Sequence, residues 1–191
     1  MNASTSDTLR LFFALWPDDA TRAALMQLQA PMRGRTIPYS NLHLTLAFLG
    51  QQPAALLPDA KDVLSRLSAP AAMLSLDRVG YFPRNRIAWV GMHQVPDALV
   101  MLQQQLSEAL TERGIAFDNQ KKFKPHITLA RDASLPPDLA FAPIPWRANH
   151  VALVQSVTKA EGAVYELVAS RSLDERCWLP DERGGEEKPM E

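Results

Sequence analysis

The sequence Asn41-Leu-His-Leu-Thr-Leu-Ala47 returns later in the chain as Lys124-Pro-His-Ile-Thr-Leu-Ala130. Side chains alternate between the two faces of a β-strand, so residues two positions apart point to the same side. His43 and Thr45 therefore share one face of a predicted strand, and His126 and Thr128 share one face of a second. The chain has four histidines. Two of them stand in copies of one motif, which indicates that they have a common role.

The segments around the two motifs alternate between strand and helix patterns. The first half contains strand 9–16, helix 17–29, motif strand 42–49 closed by Gly50, helix 54–67 with its start near Pro58, and strands 73–81 and 86–92 in a hairpin. The second half contains helix 96–114, motif strand 126–130, a Pro-rich stretch 135–146, and strands 150–158 and 164–170 joined by a turn at Glu161-Gly162. This order predicts a duplicated α+β unit with the two motif strands side by side near a pseudo-twofold axis.

A chain of 191 residues corresponds to one domain, or to two small lobes that share a core. Its apolar content of 47% and charged content of 21% are those of a soluble globular protein. We expect residues 1–180 to form a single bilobal domain. The charged, Gly-rich segment 181–191 is typical of a disordered tail.

The net charge and the cysteine content restrict the binding partners and the cellular compartment that we expect for the protein. A formal net charge of -1 argues against bulk attraction to long nucleic acid or to an anionic membrane. Cys177 is the single cysteine, which excludes an intrachain disulfide and favours a reducing compartment. The apolar run 9–16 is too short to span a bilayer, and no secretory signal pattern precedes it. We expect a soluble, cytoplasmic protein, and a monomer by default.

The paired motifs suit acid–base chemistry on an anion. Imidazoles titrate near neutrality, so one can accept a proton while the other donates one. Threonine hydroxyls beside them can donate hydrogen bonds to an anionic oxygen. Two such sites on opposing strands fit in-line displacement at a phosphodiester, with one imidazole activating water and the other protonating the leaving oxygen. Neither motif has the spacing of a zinc site, so we expect neither a metal nor another cofactor.

Basic residues cluster around the second motif in a chain that is otherwise nearly neutral. They are Lys121, Lys122, Lys124 and Arg131. The Arg131 guanidinium could fork onto a phosphate or stack on a base, and a solvated charged face explains the cluster equally well. The tip of the predicted hairpin carries a second candidate pair, Arg84 and Arg86.

Four aromatic residues near the motifs, Phe12, Phe13, Trp16 and Trp89, could stack on a base, but packing in the core is favoured for them. Phe12 and Phe13 are neighbours on a strand, so one of them must face away from the site. His93 and His150 lack the motif, and we expect them to have no part in the chemistry.

The chain resembles the 2H phosphoesterases, and more closely the bacterial RNA 2′,3′-cyclic phosphodiesterases, also called 2′-5′ RNA ligases. The resemblance covers nearly the whole chain short of the tail. It rests on Arg10-Leu-Phe-Phe-Ala14, Asn41-Leu-His-Leu-Thr-Leu-Ala-Phe-Leu-Gly50, Arg86-Ile-Ala-Trp-Val-Gly91 and Phe123-Lys-Pro-His-Ile-Thr-Leu-Ala-Arg131. The two histidine motifs are specific as a spaced pair, and the other two segments support them.

This resemblance implies a bilobal, internally duplicated fold with antiparallel sheets lining a central cleft and helices outside. It implies hydrolysis of the 2′,3′-cyclic phosphate at RNA 3′ ends to a 2′-phosphate. By the resemblance, His43 donates a proton to the leaving 3′ oxygen and His126 is the base that activates water. Thr45 and Thr128 then bind the phosphate, and Arg131 contacts the substrate. The residue types alone are symmetric and do not assign acid and base.

Two other functions remain open from the residues. The same site could join RNA ends through a 2′-5′ bond without ATP, because one acid and one base must serve both directions. Alternatively, the chain could be a nucleotide- or RNA-end-binding module without turnover. In each case the expected partners are RNA 3′ ends or nucleoside 2′,3′-cyclic phosphates, and no membrane is involved.

Overall fold

The computed structural model describes residues 7–120, 122–160 and 162–173. The elements in chain order are β1 (Thr8–Leu15), α1 (Asp19–Gln29), β2 (Arg35–Thr36), β3 (Leu44–Pro53), α2 (Leu57–Arg66), β4 (Ala72–Leu76), β5 (Arg78–Phe82), β6 (Ile87–Gly91), α3 (Asp97–Glu112), β7 (Ile127–Arg131), β8 (Ile144–Ala148), β9 (His150–Lys159) and β10 (Gly162–Ser172). The predictions for Lys121, Glu161, Cys177 and the tail 181–191 concern residues outside these ranges.

The larger sheet is antiparallel, and its strand order is β10-β9-β1-β3-β7-β6-β5, with β2 beside β7. A second, two-stranded sheet consists of β4 and β8. The motif strands β3 and β7 are neighbours, and Leu44 lies opposite Ile127 where they pair. The predicted α+β class with antiparallel sheets is confirmed, and so is the placement of the two motif strands side by side.

The two halves of the larger sheet repeat one arrangement. The units β1–α1–β3 and β6–α3–β7 each consist of a strand, a helix and a motif strand, and the outer strand pairs antiparallel with the motif strand in both. Helix α1 contacts β7, whereas α3 contacts β3. Each helix therefore packs against the motif strand of the other half, and the two halves interlock around one core.

The helices use regularly spaced apolar residues for this packing. Leu25 and Leu28 of α1 are buried in the core, as are Leu102 and Leu106 of α3. Residues three or four positions apart lie on the same side of a helix, which gives each helix one apolar face. Burial of a leucine side chain stabilises the fold by about 1.5–3 kcal/mol.

Strand β1 separates the core from the opposite face of the sheet. Phe13 is fully buried in the main core, while Phe12 packs with Tyr165 on the other side. The Phe12 ring also lies 4.9 Å from the His43 ring. The prediction that neighbouring phenylalanines point in opposite directions is confirmed, and Phe12 is the one that faces the motif.

The predicted strand 73–81 is wrong as a single element. It divides at Asp77 into β4, which pairs with β8, and β5, which forms the predicted hairpin with β6. At the break, the Asp77 carboxylate accepts a hydrogen bond from the His93 backbone N–H at 2.9 Å. Strand β8 begins within the predicted Pro-rich stretch 135–146 and continues to Ala148. Pro145 fits there because a two-stranded sheet has only edge strands, where a missing N–H is tolerated.

Gly50 does not close β3 as predicted, because the strand continues to Pro53. The register with β1 shifts next to the pair Leu11 and Gly50, and Gly50 has a φ of +69°. Glycine adopts positive φ without steric cost, which suits it to a bulge. The residue therefore bends the strand rather than ending it.

The helix starts follow the sequence signals. The Asp18 side chain accepts a hydrogen bond from the Thr21 backbone N–H at 2.7 Å and caps α1, as expected for an N-cap aspartate. Helix α2 begins at Leu57, next to Pro58, and α3 covers most of the predicted helix. Within the part of the chain that the structure describes, every helix is too short or too polar to cross a bilayer.

Candidate active site

His43 lies immediately before β3 and has a partner for each ring nitrogen. Its Nδ1 is 2.7 Å from the Asn41 carbonyl oxygen, and its Nε2 is 3.1 Å from Thr45 Oγ1. A carbonyl can only accept, so Nδ1 carries the proton and Nε2 of the neutral ring accepts from the Thr45 hydroxyl. The backbone thus selects the tautomer and leaves Nε2 as the basic nitrogen.

His126 lies immediately before β7 and is held in the same way. Its Nδ1 is 2.7 Å from the Lys124 carbonyl oxygen. Asn41 and Lys124 both stand two positions before their histidines, so the repeated motif includes this backbone acceptor. Both imidazoles therefore have Nε2 as the nitrogen that can exchange a proton with a ligand.

The pairing of β3 with β7 brings the two motifs together. Leu44 and Ile127 are opposite each other, so their side chains share one face of the sheet. The residues on either side of them, His43 with Thr45 and His126 with Thr128, consequently share the other face. In a regular antiparallel ladder, diagonal positions such as those of the two histidines lie about 7–8 Å apart, with their Cβ atoms somewhat closer. Four of the five predicted site residues thus lie around one strand junction.

Arg131, the fifth, is the last residue of β7 and is exposed. Its positive charge lowers the pKa of both His43 and His126. The alternation of side chains along the strand did not decide from the sequence which way the Arg131 side chain points.

The other predicted basic residues lie at the margin of this junction. Lys122 and Lys124 are exposed. Arg86 has a φ of +52° and donates from Nη2 to the Asp132 carbonyl oxygen at 3.2 Å. Arg86 therefore holds the segment that follows β7 through this hydrogen bond. Arg84 is exposed at the hairpin tip.

Burial depresses the basicity of both imidazoles. Desolvation lowers the pKa of His43 from 6.5 to about 4, and the charges of Arg131, Arg22 and His126 act in the same direction against the hydrogen bond to Asn41. Burial likewise lowers the pKa of His126, with Arg131 adding to the effect. Both rings are therefore neutral at pH 7. A bound anion would offset the surrounding positive charge and raise both pKa values.

Aromatic rings produce this burial. His43 is surrounded by Phe12, Tyr165 and Trp16, at centroid distances of 4.9, 5.2 and 6.1 Å, and His126 by Phe82 and Trp89, at 5.1 and 6.0 Å. Sequence reasoning singled out Phe12, Trp16 and Trp89 but missed Tyr165 and Phe82. Tyr165 lies near His43 because β10 pairs with β9 and β9 pairs with β1. The local spacing of residues gives no sign of this long-range pairing.

Arg22 was also missed from the sequence. It lies on α1, is only 4% exposed, and has its guanidinium 4.8 Å from the Trp16 ring. Its Nε donates to the Pro17 carbonyl oxygen at 2.9 Å. The residue fixes the start of α1 beside the first motif and adds positive charge there. Nothing in the sequence pattern of α1 indicates that this arginine lies beside the first motif.

Metal ligands do not converge in the residues that the structure describes, which contain no group of three or more His, Cys, Asp and Glu side chains able to hold an ion. Both motif histidines instead use Nδ1 for a backbone carbonyl and keep Nε2 for the site. The donors that remain are imidazole, hydroxyl and guanidinium groups. This set fits an anion better than a cation.

The model of the 2′-5′ RNA ligase superfamily matches residues 17–160, a span that includes both motifs. The chain belongs to the 2′-5′ RNA ligase superfamily. This is the 2H phosphoesterase group that the sequence resembles, so the family assignment is confirmed.

Other members of this superfamily match over much of the chain. The RNA 2′,3′-cyclic phosphodiesterase of Escherichia coli is 38% identical over 133 residues, covering 68% of this chain and 75% of the relative. The RNA 2′,3′-cyclic phosphodiesterase of Thermus thermophilus is 34% identical over 197 residues, covering 95% and 98%.

Solved structures of superfamily members agree with the fold. Apo LigT of E. coli matches with a TM-score of 0.76 at 30% identity, covering 88% of this chain and 99% of LigT. TT0787 of T. thermophilus matches with a TM-score of 0.75 at 32% identity, covering 86% and 98%. LigT has also been crystallised with 3′-AMP.

Proposed function

We propose that this protein hydrolyses the 2′,3′-cyclic phosphate at RNA 3′ ends to a 2′-phosphomonoester by metal-independent general acid–base catalysis. The observation that carries the proposal is the meeting of two His-x-Thr motifs on one face of the β3–β7 junction. Relatives in E. coli and T. thermophilus bear the name of this activity.

The chemistry needs one proton acceptor and one proton donor. His126 Nε2 takes a proton from water as its oxygen bonds to phosphorus. His43, protonated at Nε2, gives its proton to O3′ as the P–O3′ bond breaks, which leaves the phosphate on O2′. The family resemblance supplies these two roles, since both motifs have the same residue types and both histidines hold Nδ1 on a backbone carbonyl.

The hydroxyl and guanidinium groups stabilise the reacting phosphate. The Thr45 hydroxyl donates a hydrogen bond to Nε2 of the neutral His43 ring. Once that nitrogen is protonated, the hydroxyl hydrogen is free to donate to a non-bridging oxygen, and Thr128 can do the same from the other strand. Arg131 balances the negative charge that builds up in the transition state.

The low pKa of His43 has a direct consequence for a general acid. Burial keeps His43 neutral at pH 7 without substrate, with a pKa of about 4. The cyclic phosphate carries a negative charge, so its binding next to the imidazole favours the protonated form. Substrate binding should therefore be accompanied by proton uptake, which couples charging of the acid to occupancy of the site.

Product analysis on a nucleoside 2′,3′-cyclic phosphate in the presence of EDTA tests the proposal. ³¹P NMR should show the 2′-phosphomonoester without the 3′ isomer, at a rate that the chelator does not change. Accumulation of the 3′-phosphate, loss of activity with EDTA, or activity that survives in the double variant His43→Ala/His126→Ala would contradict it.

Joining of RNA ends through a 2′-5′ bond is a second candidate, favoured by the description of the superfamily itself. A 5′-hydroxyl then replaces water at His126. Supplying both a cyclic-phosphate end and a 5′-hydroxyl end, and measuring ligated against hydrolysed product, gives the balance of the two reactions.

A parallel titration with a nucleoside monophosphate distinguishes a protein that only binds nucleotides from one that also cleaves the cyclic phosphate. LigT binds 3′-AMP in the crystal, so we expect the site here to bind nucleoside monophosphates. Quenching of Trp fluorescence by a nucleoside monophosphate, with no cleavage of the cyclic phosphate, would identify a binding module. Under our proposal the same preparation shows both signals.

A further inference from the structure

Arg22 is a buried cation beside the first motif, and the chemistry described so far gives it no part in the reaction. Its side chain is almost completely covered by protein, so it offers no surface to a substrate. Burial of a charge costs free energy unless hydrogen bonds and neighbouring groups offset the loss of water. The contacts of this side chain therefore show which parts of the site it holds in place.

The guanidinium of Arg22 joins the end of β1 to the turn before the first motif. Its Nε donates to the Pro17 carbonyl oxygen at 2.9 Å, and its Nη1 donates to the carbonyl oxygen of Tyr39. Tyr39 is the first residue of the 3₁₀ turn Tyr39–Asn41. The Cζ atom of Arg22 also lies 4.8 Å from the centre of the Trp16 ring. One side chain thus fixes an indole and a turn relative to each other.

Trp16 transmits this anchoring to the imidazole of His43. The two rings are 6.1 Å apart between centroids, with 19° between their planes, so they are nearly parallel. A cation at the face of an aromatic ring attracts it electrostatically, and the Trp16 backbone N–H donates to the His150 carbonyl oxygen at 2.9 Å. The indole is therefore held on both its side chain and its backbone, and it limits the rotation of the neighbouring imidazole.

The turn Tyr39–Asn41 holds the same imidazole from its other side. The Asn41 carbonyl oxygen lies 2.7 Å from His43 Nδ1, while the Asn41 side-chain Nδ2 donates to the Ala163 carbonyl oxygen at 2.8 Å. Arg22 holds the first residue of the turn, and Ala163 holds the last. Movement of the turn would withdraw the carbonyl from Nδ1 and remove the preference for the tautomer with a basic Nε2.

The second motif is built differently at the corresponding position. Helices α1 and α3 both begin with Asp-Ala, in the sequences Asp19-Ala-Thr-Arg22 and Asp97-Ala-Leu-Val100. Each helix follows the outer strand of its unit, so the fourth residues of the two helices correspond. Val100 is apolar and exposed, whereas Arg22 is charged and buried. The duplicated fold therefore has its buried cation on the side of His43.

The charges around the two rings make the same distinction. Burial is the largest cause of the low pKa of His43, and Arg131 and Arg22 add to it. At His126, burial acts together with Arg131. A nearby cation makes an imidazolium the better proton donor, which agrees with the acid role of His43. The other titratable groups that face His43 or Arg22 from the surrounding elements are Asp18, Asp19, Tyr39 and Tyr165.

We infer that Arg22 is a positioning residue for His43: it holds Trp16 and the turn Tyr39–Asn41 around the imidazole, so that Nε2 stays directed at the oxygen that leaves phosphorus. Arg22 itself touches neither the substrate nor the reacting atoms. This inference rests on the proposed function, in which His43 is the acid. It gives the two halves of the motif pair different surroundings, although their residue types are the same.

The ¹⁵N spectrum of the imidazoles tests the inference independently of activity. At pH 7 the wild-type His43 signals should be those of one tautomer, protonated at Nδ1 and bare at Nε2. Arg22→Met removes the donors and the charge, and we expect the His43 signals to move toward the averaged values of two exchanging tautomers. The His126 signals should stay in place. The spectra of His43→Ala and His126→Ala assign the signals, and a smaller folded fraction would weaken the signals without moving them.

The kinetic constants provide the second measurement. We expect Arg22→Met to lower kcat on a nucleoside 2′,3′-cyclic phosphate by about tenfold to a hundredfold, the scale of a misplaced catalytic group. KM should stay near the wild-type value, because Arg22 does not contact the substrate. Arg22→Lys keeps the charge and one donor, and it serves if the methionine variant does not fold. It should change the His43 signals and kcat in the same direction by less.

Gln52→Met is the matched control. Gln52 is also buried, and its Nε2 donates to the carbonyl oxygens of Leu49 at 2.7 Å and Ala116 at 3.0 Å. It lies at the other end of β3 from His43. This variant should lower Tm, because it leaves two buried carbonyls without their donor. The His43 signals and kcat should keep their wild-type values.

Two results would overturn the inference while hydrolysis stands. One is that the His43 signals stay in place in both Arg22 variants and kcat is that of the wild type. The other is that the signals of His43 and His126 move equally, since Arg22 would then support the whole site instead of one imidazole. Failure of the proposed function is separate, and shows as absence of hydrolysis by the wild-type protein.

Discussion

Leu44 lies opposite Ile127 where the two motif strands join, and this pair turns both histidines to the same side of the sheet. Each histidine precedes its member of the pair by one residue, and each threonine follows it by one. The symmetry of the pair therefore generates a site with two imidazoles and two hydroxyls. Neither half of the duplicated fold can form that site alone.

Replacement of either motif histidine should remove most of the activity. We expect His43→Ala and His126→Ala each to lower kcat on a nucleoside 2′,3′-cyclic phosphate by a hundredfold or more, because removal of a general acid or base costs about 10²–10⁴ in rate. His150→Ala is the matched control, since His150 is exposed and lies outside the motifs. A decrease of less than tenfold in either motif variant would contradict the assigned roles.

The threonine hydroxyls should matter less than the imidazoles. Thr45→Val and Thr128→Val keep the shape of the side chain and remove one donor each. We expect kcat to fall by about tenfold, the size of one hydrogen bond to a charged oxygen, with little change in Tm. Thermal melts measured beside the rates decide the interpretation. A large drop in Tm would mean that the hydroxyls serve the fold instead of the phosphate.

The sequence predicted the parts of this site that depend on local spacing. The alternation along a strand placed His43 with Thr45, and the sequence placed the start of α1 two residues before its observed start at Asp19. The parts that the sequence did not predict depend on the pairing of strands that are far apart along the chain. Tyr165 reaches His43 only because β10 pairs with β9 and β9 with β1. The break at Asp77 likewise follows from the pairing of β4 with β8, which no pattern inside 73–81 reveals.

Burial of His43 should make the fold sensitive to mild acid. Its pKa is about 4 in the folded protein against 6.5 as the ordinary value, so between these values the unfolded chain binds the proton and the folded chain does not. The free energy of unfolding therefore falls as the pH drops from about 6.5 to 4, by up to about 1.4 kcal/mol per pH unit. His126, whose pKa is also lowered, acts in the same direction.

Urea unfolding at pH 6.5, 5.5 and 4.5 measures this effect. His43→Ala should show a shallower loss of stability on acidification than the wild type, because it removes one of the groups that resist protonation. His150→Ala should keep the wild-type slope. Equal slopes for all three proteins would show that His43 does not titrate between the two values.

Two glycines with similar positive φ angles offer a test of how the end of β7 is held. Gly34 has a φ of +131° and Gly162 a φ of +126°, so alanine would be strained to a similar degree at both. The surroundings differ. A Cβ at Gly34 would meet Ala133 Cα at 2.7 Å and the Arg131 carbonyl oxygen at 2.8 Å, whereas a Cβ at Gly162 would have no atom of the described residues within 4 Å. Gly34 therefore lets the chain pass closely against the backbone that carries Arg131.

We expect Gly34→Ala to be more destabilising than Gly162→Ala. The strain common to both is about 1–3 kcal/mol, and the clash with backbone atoms at Gly34 should add about 1–3 kcal/mol. Because the clash pushes on Arg131, Gly34→Ala should also raise KM for the cyclic phosphate, and Gly162→Ala should not. Thermal melts and steady-state kinetics measure the two effects. If both variants lose the same stability and keep the wild-type KM, close packing at Gly34 does not position the arginine.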